Sequence, residues 1–80
     1  MHELGIMYYV VEQVLRSVKG NQLCEVEAIV LQVGKQSAVV PKYLKRCYPA
    51  AVDGTMLEHT ALEIELLEGA EFLIKEIRAR

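Results

Sequence analysis

The sequence predicts an α+β domain: a mixed three-stranded sheet with two helices packed mainly on one face, in the order α-β-α-β-β. Three observations carry this. Residues 3–19 repeat apolar side chains every three or four positions, 25–33 become apolar on both faces, and 61–67 alternate apolar with acidic residues.

In the first segment Leu4, Met7, Val11, Val14, Leu15 and Val18 line one face of an amphipathic helix. Gly20 and Asn21, which tolerate the left-handed conformation, are expected to close it, with Lys19 at the negative end of its dipole. From Glu25, Val26, Ala28 and Val30 alternate with Glu25 and Glu27. Ile29, Leu31 and Val33 then fill the other face, as in a strand covered on both sides. Gly34 to Ser37 form a polar connection, and Pro41 suits the first turn of a second helix whose face holds Tyr43, Leu44, Cys47, Tyr48, Ala51 and Val52. Pro49 removes an internal hydrogen bond, so a kink or early stop is expected near Tyr48. Asp53-Gly54 marks a turn, and Leu62, Ile64 and Leu66 then point inward against Glu63 and Glu65. Glu68-Gly69-Ala70 links this strand to a third at Phe72 to Ile77. The shortness of the link predicts an antiparallel hairpin of strands two and three. The longer path from strand one through helix two fits a right-handed parallel crossover.

Eighty residues make one domain with a thin core, since a chain of this size buries only about 60% of its unfolded surface. The hydrophobic share of 52% and charged share of 25% belong to a compact fold rather than a disordered tail. Nine basic and eleven acidic residues, net -2, are spread along the chain, leaving no basic stripe for a nucleic-acid backbone. No apolar run reaches the ~18 residues of a membrane span and no secretory leader is recognisable, so the chain reads as cytoplasmic. Cys24 and Cys47 form neither a disulfide framework nor a Cys-x-x-Cys knuckle and are expected to be buried thiols. No nucleophile is visibly paired with a base, which argues against an enzyme.

Functional groups are concentrated at Met1-His2-Glu3 by the covalent chain itself. The terminal amine and the His2 amide close a five-membered chelate. His2 Nδ1 closes a six-membered ring with that amide, and the Glu3 amide or carboxylate lies near the fourth position. Nitrogen donors in a plane suit Ni(II) or Cu(II), whereas structural zinc prefers a tetrahedral set. First-turn amides lack helical acceptors, so ligation there breaks no helix hydrogen bond. The plain alternative is an exposed, unemployed His2 and a Glu3 that merely favours the positive end of the helix.

Met1-His2-Glu3-Leu4, the stretch Val33 to Pro41, Gly54 to Glu58, Leu62 to Glu65 and Phe72 to Ile77 together resemble HypA-type nickel incorporation proteins, in the same order and over nearly the whole chain. The resemblance implies a nickel metallochaperone whose ligands fall on Met1, His2 and Glu3. It also implies a HypB-like GTPase partner and a nickel enzyme precursor, nickel-iron hydrogenase or in some bacteria urease, as recipient. The family's zinc module, with two Cys-x-x-Cys pairs, is replaced here by a short turn at 68–70. Residues 1–80 are therefore read as a single nickel-binding domain with no structural zinc. Pro49, His59 and Gly5 also depart from the pattern; His59 is expected to be an exposed surface residue, and Gly5 to loosen the first turn. The missing module also motivates a second reading, a regulatory or protein-binding module that kept the fold and lost delivery. Strand one or strand three could offer an edge for a homodimer.

Overall fold

In the computed structural model the backbone is described from His2 to Arg80 and side chains from Glu3 onward. The elements follow as α1 (His2–Asn21), β1 (Val26–Gly34), α2 (Pro41–Val52), β2 (Ala61–Leu67) and β3 (Phe72–Ala79). Two helices and a three-stranded mixed sheet confirm the α+β class.

The strand order is β2-β1-β3, with β1 parallel to β2 and antiparallel to β3. The expected β2–β3 hairpin is therefore wrong. β1, apolar on both faces, takes the centre, and the chain must pass from one edge of the sheet to the other. Residues 68–71 do so over the C-terminal end of β1, across two strand spacings of about 4.8 Å each. Strand one is consequently no edge; the free edges belong to β2 and β3.

One face of the sheet meets the helices. Ile29, Leu31 and Val33 pack with Met7, Val10 and Val14 of α1 and with Leu44, Tyr48 and Val52 of α2. Leu62 and Ile64 join this core partly buried, whereas Leu66, expected inward, is 53% exposed because it lies at the open end of an edge strand. The other face has charged side chains as its cover. Arg78 reaches Glu63 at 3.0 Å and Lys75 reaches Glu65 at 3.0 Å. Both pairs join the two edge strands across β1, whose Val30 is only 2% exposed beneath them. The β1–β3 register steps past Lys75, a bulge of the kind that re-aims a side chain. Hydrogen bonds from Gln32 and then Lys75 hold the Glu65 carboxyl below its ordinary range.

Several local expectations shift. Helix α1 runs through Gly20 and Asn21, and Gln22 takes the left-handed position at φ 54°. Leu23 N donates to the Val18 carbonyl at 3.0 Å and Gln22 N to Lys19 at 3.4 Å, the paired bonds of a Schellman cap. The hydrophobic contact that accompanies this cap fixes where the helix ends, and Leu23 packs against the core that contains Val18. Cys24, next in the chain, is exposed rather than buried; Cys47 is half-buried. Helix α2 passes through Pro49 without the early stop. Tyr43, assigned to its inner face, is 47% exposed, with the Arg46 guanidinium 5.9 Å from its ring centre.

Tyr48 anchors α2. Its hydroxyl donates to the Thr60 carbonyl at 2.9 Å, and the buried Thr60 hydroxyl donates to the Val26 carbonyl at 2.7 Å, joining α2, the loop before β2 and the start of β1. Burial pushes the Tyr48 phenol up to about 12. An unfolded tyrosine ionises near 10. The contribution of Tyr48 is thus complete below about pH 10 and lost as pH rises towards 12, because the unfolded chain releases its proton first. Tyr48→Phe is expected to cost about 1–2 kcal/mol near neutral pH by orphaning the Thr60 carbonyl. In urea unfolding its deficit should shrink above about pH 10; a deficit constant with pH would refute the linkage.

Candidate metal centre

The starts of α1 and α2 lie together. Helix α2 begins at Pro41 with Val40 as its N-cap, a residue whose side chain can accept no hydrogen bond. Glu3 supplies what is missing. Its Oε2 accepts from the Val40 amide at 3.2 Å, the bond that the glutamate of a capping box makes, delivered here from a different helix. Beside this contact a groove of about 340 Å³ is lined by Glu3, Leu4, Tyr43, Arg46 and Cys47.

Of the three residues assigned to the metal, Glu3 is thus placed at the junction of the helices with its carboxylate engaged. Met1 and the His2 side chain lie outside the described residues; the His2 backbone begins α1. The free amides of that first turn remain the donors that helix geometry leaves without acceptors. His59 is exposed in the loop after α2, at the opposite end of that helix from Val40. Among the described residues no three His, Cys, Asp or Glu side chains converge as a cage. A planar chelate of amine, amide and imidazole nitrogens requires no such cage.

Sequence reasoning missed the Glu3–Val40 bond. Its signal was the absence of Ser, Thr, Asp or Asn before Pro41, a helix start without a cap of its own. It also missed how the segment Gly54 to Glu58 is held. Thr55 Oγ1 donates to the Val52 carbonyl at 2.7 Å, and Glu58 Oε2 accepts from the Gly54 amide at 2.6 Å. The loop so formed buries Leu57 completely.

Residues 1–72 match the family described as hydrogenase/urease nickel incorporation, metallochaperone, HypA. The chain belongs to the HypA family. The hydrogenase maturation factor HypA of Crocosphaera subtropica is 38% identical over 69 residues, which are 86% of this chain and 58% of that protein. The HypA proteins of Nostoc punctiforme and Geobacter sulfurreducens are each 36% identical over 69 residues. This chain therefore spans 58–60% of the length of these relatives. The solution structure of the Ni metallochaperone HypA from Helicobacter pylori superposes with a TM-score of 0.74 over 92% of this chain and 70% of that one. At 15% identity that likeness shows the shared fold. The family is one of metallochaperones rather than of catalysts. No helix of the described residues is long and apolar enough to cross a membrane.

Proposed function

We propose that this domain binds one Ni(II) at its amino terminus and passes it on, as a carrier in the maturation of a cytoplasmic nickel enzyme such as nickel-iron hydrogenase. The ligands are the Met1 amine, the amide and imidazole of His2, and the amide of Glu3. The observation that favours the amide over the carboxylate at Glu3 is the Glu3–Val40 bond, in which Oε2 accepts from the start of α2 and draws the carboxylate towards that helix. Nitrogen donors in a plane match the preference of Ni(II), and a terminus can release what it binds.

The metal then goes to a recipient precursor with the help of a HypB-like GTPase. A structural zinc is not part of this reading, because two cysteines cannot supply the four thiolates of the family's module. In this reading the short turn at 68–70 stands in for the module, which is supported by the end of β2 and the start of β3 lying at the same end of the sheet.

Isothermal titration of the untagged chain is expected to give one Ni(II) per chain, with the absorption of a square-planar, diamagnetic ion. Affinity should fall as the pH is lowered, since amine, amide and imidazole must all lose protons to ligate. Absence of uptake, together with metal-independent binding to the cognate GTPase, would replace delivery by the regulatory-module reading.

A further inference from the structure

We infer that the outer face of α2 is a docking surface for an acidic, extended peptide segment of a partner protein. Helix α2 contains no acidic residue, although the chain as a whole is net negative. Arg16, Lys35, Lys75, Arg78 and Arg80 all pair with glutamates. Among the described residues Lys42, Lys45 and Arg46 form no ion pair, and all three are exposed. The spacing i, i+3, i+4 puts them on one side of the helix. The unpaired positive charge of the fold is therefore gathered largely on one helical turn.

The chemistry of the occupant follows from the dimensions of the patch and from what adjoins it. Four residues of helix advance about 6 Å. Same-side residues of an extended chain are about 6.6 Å apart, so two carboxylates at alternate positions span the distance from Lys42 to Arg46, and a neighbouring acid can reach Lys45. Arg46 and Tyr43 also border the groove of about 340 Å³ that Leu4 and Cys47 help to line, which offers room for an apolar side chain between the acids. The Arg46–Tyr43 stacking holds one cation at the rim. A nucleic acid fits poorly, since one turn of charge neutralises few phosphates and Glu3 stands at the same groove. A second copy fits poorly too: the extended strand that carries acids at alternate positions, Glu63 and Glu65 of β2, is already engaged by Arg78 and Lys75 of this chain. The surface adjoins the Glu3–Val40 junction, so a partner held there would sit beside Glu3 in the first turn of α1. The inference rests on the helix face and stands whether or not the terminus carries nickel.

The test is a metal-free NMR titration of the chain with an acetylated peptide containing Glu-Leu-Glu-Glu. Amide shifts are expected at Lys42 to Cys47 and at Leu4, with β2 and β3 unmoved, and with binding weakened by added salt. Lys42→Glu/Lys45→Glu/Arg46→Glu should weaken binding at least about tenfold, the triple alanine variant less, and Lys19→Glu hardly at all. Comparison titrations use oligothymidylate and anionic phospholipid vesicles. Shifts scattered away from α2, no binding at millimolar peptide, equal loss with Lys19→Glu, or tighter binding of either comparison probe at α2 would each overturn the assignment.

Discussion

Gly34→Ala is expected to cost about 3 kcal/mol or more, a large share of the stability of so small a domain. A methyl group at Gly34 would run into the Gly69 carbonyl oxygen and would lie 2.7 Å from its carbon and 2.9 Å from the Glu71 nitrogen. All are backbone atoms of the link that carries the chain over the end of β1, so no side chain can swing away. The link cannot simply lift. Gly34 N donates to the Glu71 carbonyl at 2.7 Å and Lys35 N to Leu67 at 2.8 Å. Gln36 holds Gly69 twice, its amide donating to the Gly69 carbonyl at 2.8 Å and its Oε1 accepting from the Gly69 amide at 2.5 Å. Gly69 itself has φ 102°, which other residues rarely adopt. Displacing the link would loosen several of these bonds, each worth about 1 kcal/mol net. Thermal unfolding should fall by roughly 15 °C, at about 4–8 °C per kcal/mol for a domain of this size. Gly20→Ala is the control. Gly20 has open space around it within α1, so alanine there should be neutral or slightly stabilising. Equal behaviour of the two variants would show that the crossing is not tightly packed.

The same crossing shows which parts of the fold the sequence could reveal. Strand β2 was legible to the residue, Ala61 to Leu67, because alternation with glutamates marks a half-covered strand. The cover on both faces of β1 was legible as well, in its apolar run, although the expected hairpin made it an edge strand rather than the centre. Strand order was not, because a short link ordinarily joins neighbouring strands, and only the three-dimensional path shows that four residues clear one intervening strand. The end of α1 was misplaced for a related reason. Gly20 and Asn21 have the right local preference, but the core position of Leu23 puts the left-handed turn on Gln22. At Pro49 the local penalty was real and the packing outweighed it, since Ala51 and Val52 beyond it are buried. The proposed amino-terminal chelate involves adjacent residues only, so the sequence alone can suggest it. The partner of Glu3 lies 37 positions away and cannot be read in this way.

That partner allows the roles of His2 and Glu3 to be separated by substitution. His2→Ala removes the imidazole and breaks the six-membered chelate ring, and nickel binding in a titration of the untagged chain should be lost. Glu3→Ala keeps the backbone nitrogen and the reach of the terminal amine. It should retain one Ni(II) per chain while weakening affinity about tenfold, because α1 and α2 lose the contact that fixes the first turn. Glu3→Gln retains an oxygen that can accept from the Val40 amide, and should recover most of that affinity. Loss of the carboxylate charge would matter far more if it were itself a ligand: Glu3→Gln would then bind nickel as poorly as Glu3→Ala. Undiminished affinity in His2→Ala would remove the amino-terminal assignment altogether. Together the variants distinguish a carboxylate that holds the metal from one that holds the helix presenting it.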